Sequence, residues 1–256
     1  MLTAYAQPEK AKSVRLIEAF AQGCGGQVAS TWSTRLEPGD AAFYGVRPEW
    51  LHLWEQAKAE GRDWYYIDNA YFDCVRERYF RITRNALQCD GLQACWSGDG
   101  AARFADLGIT IGDWRRDGAH VLVCPQTDDF MRTMGGGDDW LGSTLATLRM
   151  HTDRELRVRR KGEKRPLAED LRGAWALVTH MSCAAVEALV AGVPVFCTGR
   201  CAGRWMGTSD LSLIEEPLYP ERRRKWAETL AENQFNISEI ESGYAWRALT
   251  GAGAHV

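Results

Sequence analysis

The stretch LVTHMSCAAVEALVAGVPVF, residues 177–196, constrains the fold of this chain more than any other. An apolar run enters the polar turn Thr179-His180-Met181-Ser182, a helical pattern follows to Gly192, and Pro194 directs a second apolar run. A strand, a helix and another strand in so little chain form a βαβ unit, with parallel strands and a right-handed crossover. In such a unit the turn after the first strand lies at the carboxyl edge of the sheet, where open α/β sheets bind ligands.

The same alternation runs on both sides of this stretch. In the first half, strands are expected at 2–6, 27–33, 41–46 and 64–68. A helix to about residue 22 carries Ala11, Val14, Ile17 and Ala21 at helical spacing, and another begins at Pro48. In the second half, strands at 120–124, 156–159, 175–178 and 193–197 alternate with helices at 140–151, 166–172 and 183–191. Closing helices are expected at 221–233 and 236–248, with Ser238 as a cap. The weakest pattern lies over 76–112, where YFRIT reads as a strand and SGDGAARF as a loop. A boundary there divides the chain into Rossmann-like lobes at 1–115 and 116–256, each with a parallel sheet.

Bulk composition narrows the function classes. Hydrophobic residues make up 45% of the 256 and charged residues 25%, which is ordinary globular material with enough apolar mass for real cores. A formal net charge of −3 excludes the globally basic field of a dedicated nucleic-acid binder. No apolar run reaches the roughly 20 residues of a membrane span, and the first residues lack the pattern of a signal peptide, so a cytoplasmic protein is expected. The eight cysteines, among them Cys74, Cys89 and Cys95, form no CxxC pair and read as free thiols. Eleven tryptophans suit either large packed cores or a surface that stacks on sugars or bases.

Four segments carry candidate chemistry. In the turn after 177–179, Thr179, His180 and Ser182 precede a helix start that favours an anion, and Glu187 stands among Cys183, Ala184 and Ala191, where a ribose diol could reach its carboxylate. After 120–124, Gln126, Thr127 and Asp129 follow the strand directly, with Gly135, Gly136 and Gly137 beyond. Asp128, Asp129, Asp138 and Asp139 offer hard oxygens without the alternation of a calcium loop, so a solvated turn competes with a metal site. Arg159 and Lys161 lie in the basic run 154–165, which reads as a diphosphate clamp or as a solvated charged face. In the first half, WYYIDNAYF places Asp68 past an apolar strand, with Tyr71, Arg81 and Asn85 downstream; Asp68 is a candidate base or nucleophile, or simply a turn cap.

THMSCAAVEALVAGVPVFCTGR, followed by Trp205, Gly207, Thr208 and Asp210, resembles the nucleotide-binding lobe of bacterial capsule polysaccharide synthesis proteins, the Kdo-transferase-like glycosyltransferases of GT-B fold. VLVCPQTDD is similar to that family's strand followed by a glutamine and paired acids. More weakly, YGVRP and YIDNAYF with Arg81 resemble its N-lobe segments. The resemblance implies a GT-B fold with a cleft between the lobes, 1–115 serving the acceptor and 116–256 the nucleotide-linked donor. Carried over residue by residue, it implies Asp68 as the catalytic carboxylate, Gln126 and Asp129 lining the donor site, and Ser182 and Glu187 on the nucleotide. Joined to the reading of the four segments, this makes Asp68 and Asp129 the catalytic candidates and Gln126, Thr127, Arg159, Lys161, Thr179, His180, Ser182 and Glu187 the donor-side candidates. Tyr71, Arg81 and Asn85 would serve the acceptor. The co-substrate would be a nucleotide sugar, with no metal required. Where the family carries a lysine-proline-histidine-proline run, this chain has Arg159-Arg160-Lys161-Gly162, which suits a diphosphate nucleotide better than a monophosphate.

The segment NQFNISEIESGYAW, with WYYIDNAYF, is also similar to proteins encoded by tailed bacteriophages. That implies an alternative acceptor, a hydroxymethylated pyrimidine in DNA, within an infected host cytoplasm. A non-catalytic nucleotide-binding protein is a third reading.

Overall fold

The computed structural model describes residues 1–72, 78–88, 99–134 and 137–251, apart from the side chain of Asp129. The chain forms two compact units: one of 1–87, 94–103 and 229–256, the other of 88–93 and 104–228.

The first unit opens with β1 (Leu2–Ala6), α1 (Ala11–Cys24), β2 (Gln27–Ser30) and β3 (Asp40–Tyr44). A single turn at Pro48–Trp50 leads into α2 (Leu51–Ala59), then β4 (Trp64–Asn69), β5 (Phe80–Arg84) and α3 (Gly100–Asp106). The second unit contains β6 (His120–Cys124), α4 (Asp128–Thr133), α5 (Trp140–Arg149), β7 (Glu155–Val158), α6 (Leu167–Asp170), β8 (Ala174–Thr179), α7 (Ala184–Val190) and β9 (Val195–Cys197). Finally α8 (Arg223–Glu232) carries the chain back to the first unit for β10 (Gln234–Phe235), α9 (Ile237–Glu241) and α10 (Tyr244–Thr250).

The first sheet has the order β10-β5-β4-β3-β1-β2. Its β2, β1, β3 and β4 are parallel, whereas β5 pairs antiparallel with β4 and β10 antiparallel with β5, so the expected all-parallel sheet is mixed here. The reason is connection length: the ten residues between β4 and β5 are fewer than the dozen or more of a parallel crossover. One face is aromatic. Tyr5 stacks on Phe43 at 5.4 Å and Phe43 on Trp50 at 4.7 Å, while Trp54 meets Trp64 edge-on at 5.4 Å. The other face packs Leu16, Ile17 and Phe20 of α1 with Ile240, Ala245 and Leu249 of the closing helices. The closing helices therefore complete the first unit rather than the C-terminal lobe. Gly23 permits this: a Cβ there would lie 2.0 Å from the Ile240 carbonyl oxygen.

Tertiary contacts explain two further differences. Residues 100–106 are helical rather than looped, and Arg103 anchors them by pairing with Glu239 at 2.5 Å and donating to the Gln234 carbonyl at 2.6 Å. The cap of α9 is Asn236, not Ser238. Its Oδ1 accepts the Glu239 N–H at 2.9 Å while Glu239 Oε2 accepts the Asn236 N–H at 2.8 Å.

The second sheet has the order β7-β6-β8-β9 and is parallel throughout. Its core is small and aliphatic: Val121, Val123, Ala176 and Val178 with Phe196, covered by Leu148 of α5 and by Leu211 and Ile214. The buried Ala185, Val186, Ala188 and Leu189 of α7 pack on the opposite side, with Gly203 and Cys197 close by. Among the described residues no helix is long and apolar enough to cross a membrane.

Candidate functional site

Parallel strands bring the turns after β6, β7 and β8 to one edge of the second sheet, and hydrogen bonds lock these turns together. Gln126 Oε1 accepts the Met181 N–H at 3.0 Å, joining the β6 turn to the β8 turn. The Arg159 N–H donates to the Val123 carbonyl at 2.9 Å. Thr179 is fully buried and its hydroxyl donates to the Cys124 carbonyl at 2.6 Å, which ties β8 to β6. Ser182 Oγ accepts the Ala184 N–H at 3.1 Å just before α7, and Thr127 caps α4 through the Phe130 N–H.

Glu187 lies in the first turn of α7 with its carboxylate at the surface. The protein packed around that carboxylate desolvates it and raises its pKa above the ordinary carboxylate value, and the positive Arg159 guanidinium partly opposes the rise. Arg159 is itself anchored. It pairs with the buried Asp170, which also holds Arg165, so its charge is shared before any anion arrives. Arg157 pairs with Glu155 and Arg154 with Glu215, so within the basic run Arg160, Lys161 and Lys164 are the exposed cations without an ion pair among the described residues. Nearby Cys124 is pushed up to about 12 by burial and is no nucleophile at neutral pH.

A second chain of bonds runs beside this edge. The Trp140 indole N–H donates to Thr198 Oγ1 at 2.8 Å, and that hydroxyl meets His180 Nδ1 at 3.0 Å. Burial lowers the His180 pKa, while a hydrogen bond to the Met134 backbone pulls it up. The Thr198 hydroxyl thus links the indole to the imidazole. A cavity of about 440 Å³ opens here, lined by Asp138, Asp139, Trp140, Ser143, Thr144 and Thr198 among others. A larger concavity, about 550 Å³, includes Trp114 and Arg223 in its walls. It lies by the far end of α7, where Gly112 N bonds the Val190 carbonyl and Arg223 caps the Leu189 carbonyl, away from the strand-end turns.

In the first unit, Asp68 sits near the carboxyl end of β4. Arg81 Nη2 donates to Asp68 Oδ2 at 2.6 Å, and the Tyr66 hydroxyl donates to the same oxygen at 2.8 Å. Arg81 is nearly buried, between the rings of Tyr66 and Tyr71 at 5.8 and 5.6 Å. Arg81 thus joins Tyr71 to Asp68. Asn85 stands apart. Its side chain accepts the Trp64 N–H at 2.9 Å and it adopts φ 55, a turn role at the opposite end of β4.

No family model and no curated protein matches this chain. Among solved structures, it is similar to a beta Kdo 2,4 transferase, KpsC of Thermosulfurimonas dismutans. Identity is 12%, coverage is 90% of this chain and 89% of that one, and the TM-score is 0.51. It is also similar to the beta Kdo 2,7 transferase of the same organism's KpsC at 11% identity, covering 95% and 98%, with a TM-score of 0.49. The likeness is one of fold.

Two parts of the site escaped the sequence reading. Gln88, 5% exposed, bridges the edge by donating to the Met181 carbonyl at 2.5 Å and accepting the Ala202 N–H at 3.1 Å. The Trp140–Thr198–His180 chain joins three separate segments, and no local spacing signals it. Among the described residues no cluster of three or more His, Cys, Asp or Glu could hold a metal. The Asp129 side chain, Gly135, Gly136, Cys74, Cys89 and Cys95 lie outside the described residues.

Proposed function

We propose that this protein is a GT-B-type glycosyltransferase that takes a nucleotide-activated sugar at the carboxyl edge of β6, β7 and β8 and transfers the sugar to a saccharide. One observation carries the reading: the Gln126–Met181 bond fixes two strand-end turns beside the surface carboxylate of Glu187 and the anchored charge of Arg159. On this reading Glu187 holds the ribose diol and Gln126, Thr127 and Ser182 line the donor, with Asp129 beside them. Arg159 and Lys161 set a positive field for the phosphates, and Thr179 and His180 hold the turn in shape. Asp68 is the catalytic carboxylate, oriented by Arg81 and Tyr66. The fold shared with a Kdo transferase is further support.

Isothermal titration with a panel of nucleotide sugars tests the donor site. Glu187→Ala removes two hydrogen bonds to a charged acceptor and should weaken binding about tenfold or more. Equal affinity in both proteins would strip Glu187 of its role. A wild-type protein that binds none of the panel would end the glycosyltransferase reading.

A further inference from the structure

We propose that Gln7 is a specificity residue that reads a hydroxyl of a neutral saccharide held beside Asp68. The proposal rests on the glycosyltransferase reading and adds to it the identity of an acceptor-side contact.

The register of the first sheet places the two residues. Tyr5 of β1 is level with Phe43 of β3, and Phe43 with Tyr66 of β4. Gln7 and Gly45 are the residues next after β1 and β3, and carrying the register on by that step sets them level with Asp68; Asp68 pairs with Arg81 of β5, and Arg81 with Gln234 of β10. Tyr5, Phe43 and Tyr66 share the aromatic face, and the Tyr66 hydroxyl meets Asp68 on that side; the alternation of β1 carried on past Ala6 sets Gln7 there too. A polar row thus crosses the sheet where its parallel strands end.

Gln7 is 1% exposed, and among the described residues neither its Oε1 nor its Nε2 has a hydrogen-bond partner. Gln234, also 1% exposed, accepts the Phe72 N–H at 3.1 Å through Oε1, while its Nε2 has no partner among the described residues. Burying an amide without partners is costly, and an apolar side chain of similar size would avoid that cost. Such a group is explained when a ligand completes it. Turning the Gln7 amide toward a ligand would break no protein hydrogen bond.

Between Gln7 and Asp68 stands Gly45, where an added Cβ would meet nothing within 4 Å. Its φ of 64 disfavours any residue with a side chain, which keeps the gap open. Two strand spacings, about 10 Å, separate the Gln7 and Asp68 backbones. A sugar ring with a hydroxyl on either side suits that span. Because Arg81 already balances the Asp68 charge, the row presents hydrogen-bond donors and acceptors without excess charge. The chemistry fits neutral hydroxyls better than a phosphate or carboxylate.

Ligand-observed NMR on the full chain, with a panel of methyl hexopyranosides as probes, tests this. Gln7→Leu should weaken saccharide binding about tenfold or more, with a Tm equal to or above wild type and nucleotide-sugar titration unchanged. Gln7→Met, which keeps the unbranched shape, should behave alike if the leucine variant folds poorly. Undiminished saccharide binding in either folded variant would overturn the proposal, as would a wild type that binds none of the panel. Loss of binding accompanied by a fall in Tm in both variants would make Gln7 a structural residue and likewise overturn it. Binding of 5-hydroxymethyl-2′-deoxyuridine in place of every saccharide would overturn the ligand class. Each of these results leaves the nucleotide-sugar titration free to stand, whereas loss of that titration in wild type strikes the glycosyltransferase reading itself.

Discussion

The two units solve the same packing problem with different materials. The first covers one face of a mixed sheet with rings packed partly face to face and partly edge-on, Tyr5, Phe43, Trp50, Trp54 and Trp64. The second fills a purely parallel sheet with valines and alanines. Large rings concentrate stabilisation in few residues, whereas small aliphatic groups spread it over many and let strands and helices approach closely. The second arrangement suits a sheet whose strand-end turns must meet at one edge.

The sharpest way to break this contrast is to truncate one residue in each core. Trp50→Ala should cost about 3–5 kcal/mol in urea unfolding, because Trp50 is 1% exposed and contacts both Phe43 and Trp54. Val178→Ala, two methyl groups smaller in the second core, should cost about 2 kcal/mol. Equal losses would erase the distinction. The next effect concerns the return of the chain to the first unit: Asn236→Ala removes a capping box and should cost about 1 kcal/mol. A null result by the same measurement would mean that the α1 contacts alone hold α9 in place.

The smallest effect is a pH dependence confined to the second unit. Burial lowers the His180 pKa from the ordinary 6.5, so the unfolded chain takes a proton before the folded one does. Its contribution is complete above pH 6.5 and declines as pH falls through the lower folded value. Glu187, raised from 4.5, acts in the opposite sense, its contribution declining as pH rises above 4.5. Denaturation at pH 7.5 and 5.5 should therefore show wild type losing stability on acidification relative to His180→Gln. Parallel behaviour of the two proteins would remove His180 as a source of that slope.

The sequence pattern gave away the second unit more fully than the first. Its strands are short apolar runs bounded by turns, and parallel order places Gln126, Arg159 and His180 at one edge without knowledge of any distant contact. What stayed hidden depends on partners far along the chain. Thr179 looks like a ligand contact until the Cys124 carbonyl takes its hydroxyl. Arg159 looks like a free clamp until Asp170 arrives from a later helix. Asn85 follows Arg81 closely in sequence, yet antiparallel pairing carries it to the wrong end of β4. The strand β10, only two residues long, has no periodicity to read and exists because β5 offers it an edge.

That last strand bears on synthesis. The second unit is in effect an insertion between β5 and the segment that pairs with it, so during translation β5 waits about 150 residues for its neighbour, some seconds at ordinary elongation rates. Throughout that interval an aromatic-rich, half-finished sheet presents an open edge, a hazard for pairing with other nascent chains. Rejoining 1–103 directly to 229–256 through a short linker would abolish the wait, and the yield of soluble first unit would report how much the delay costs.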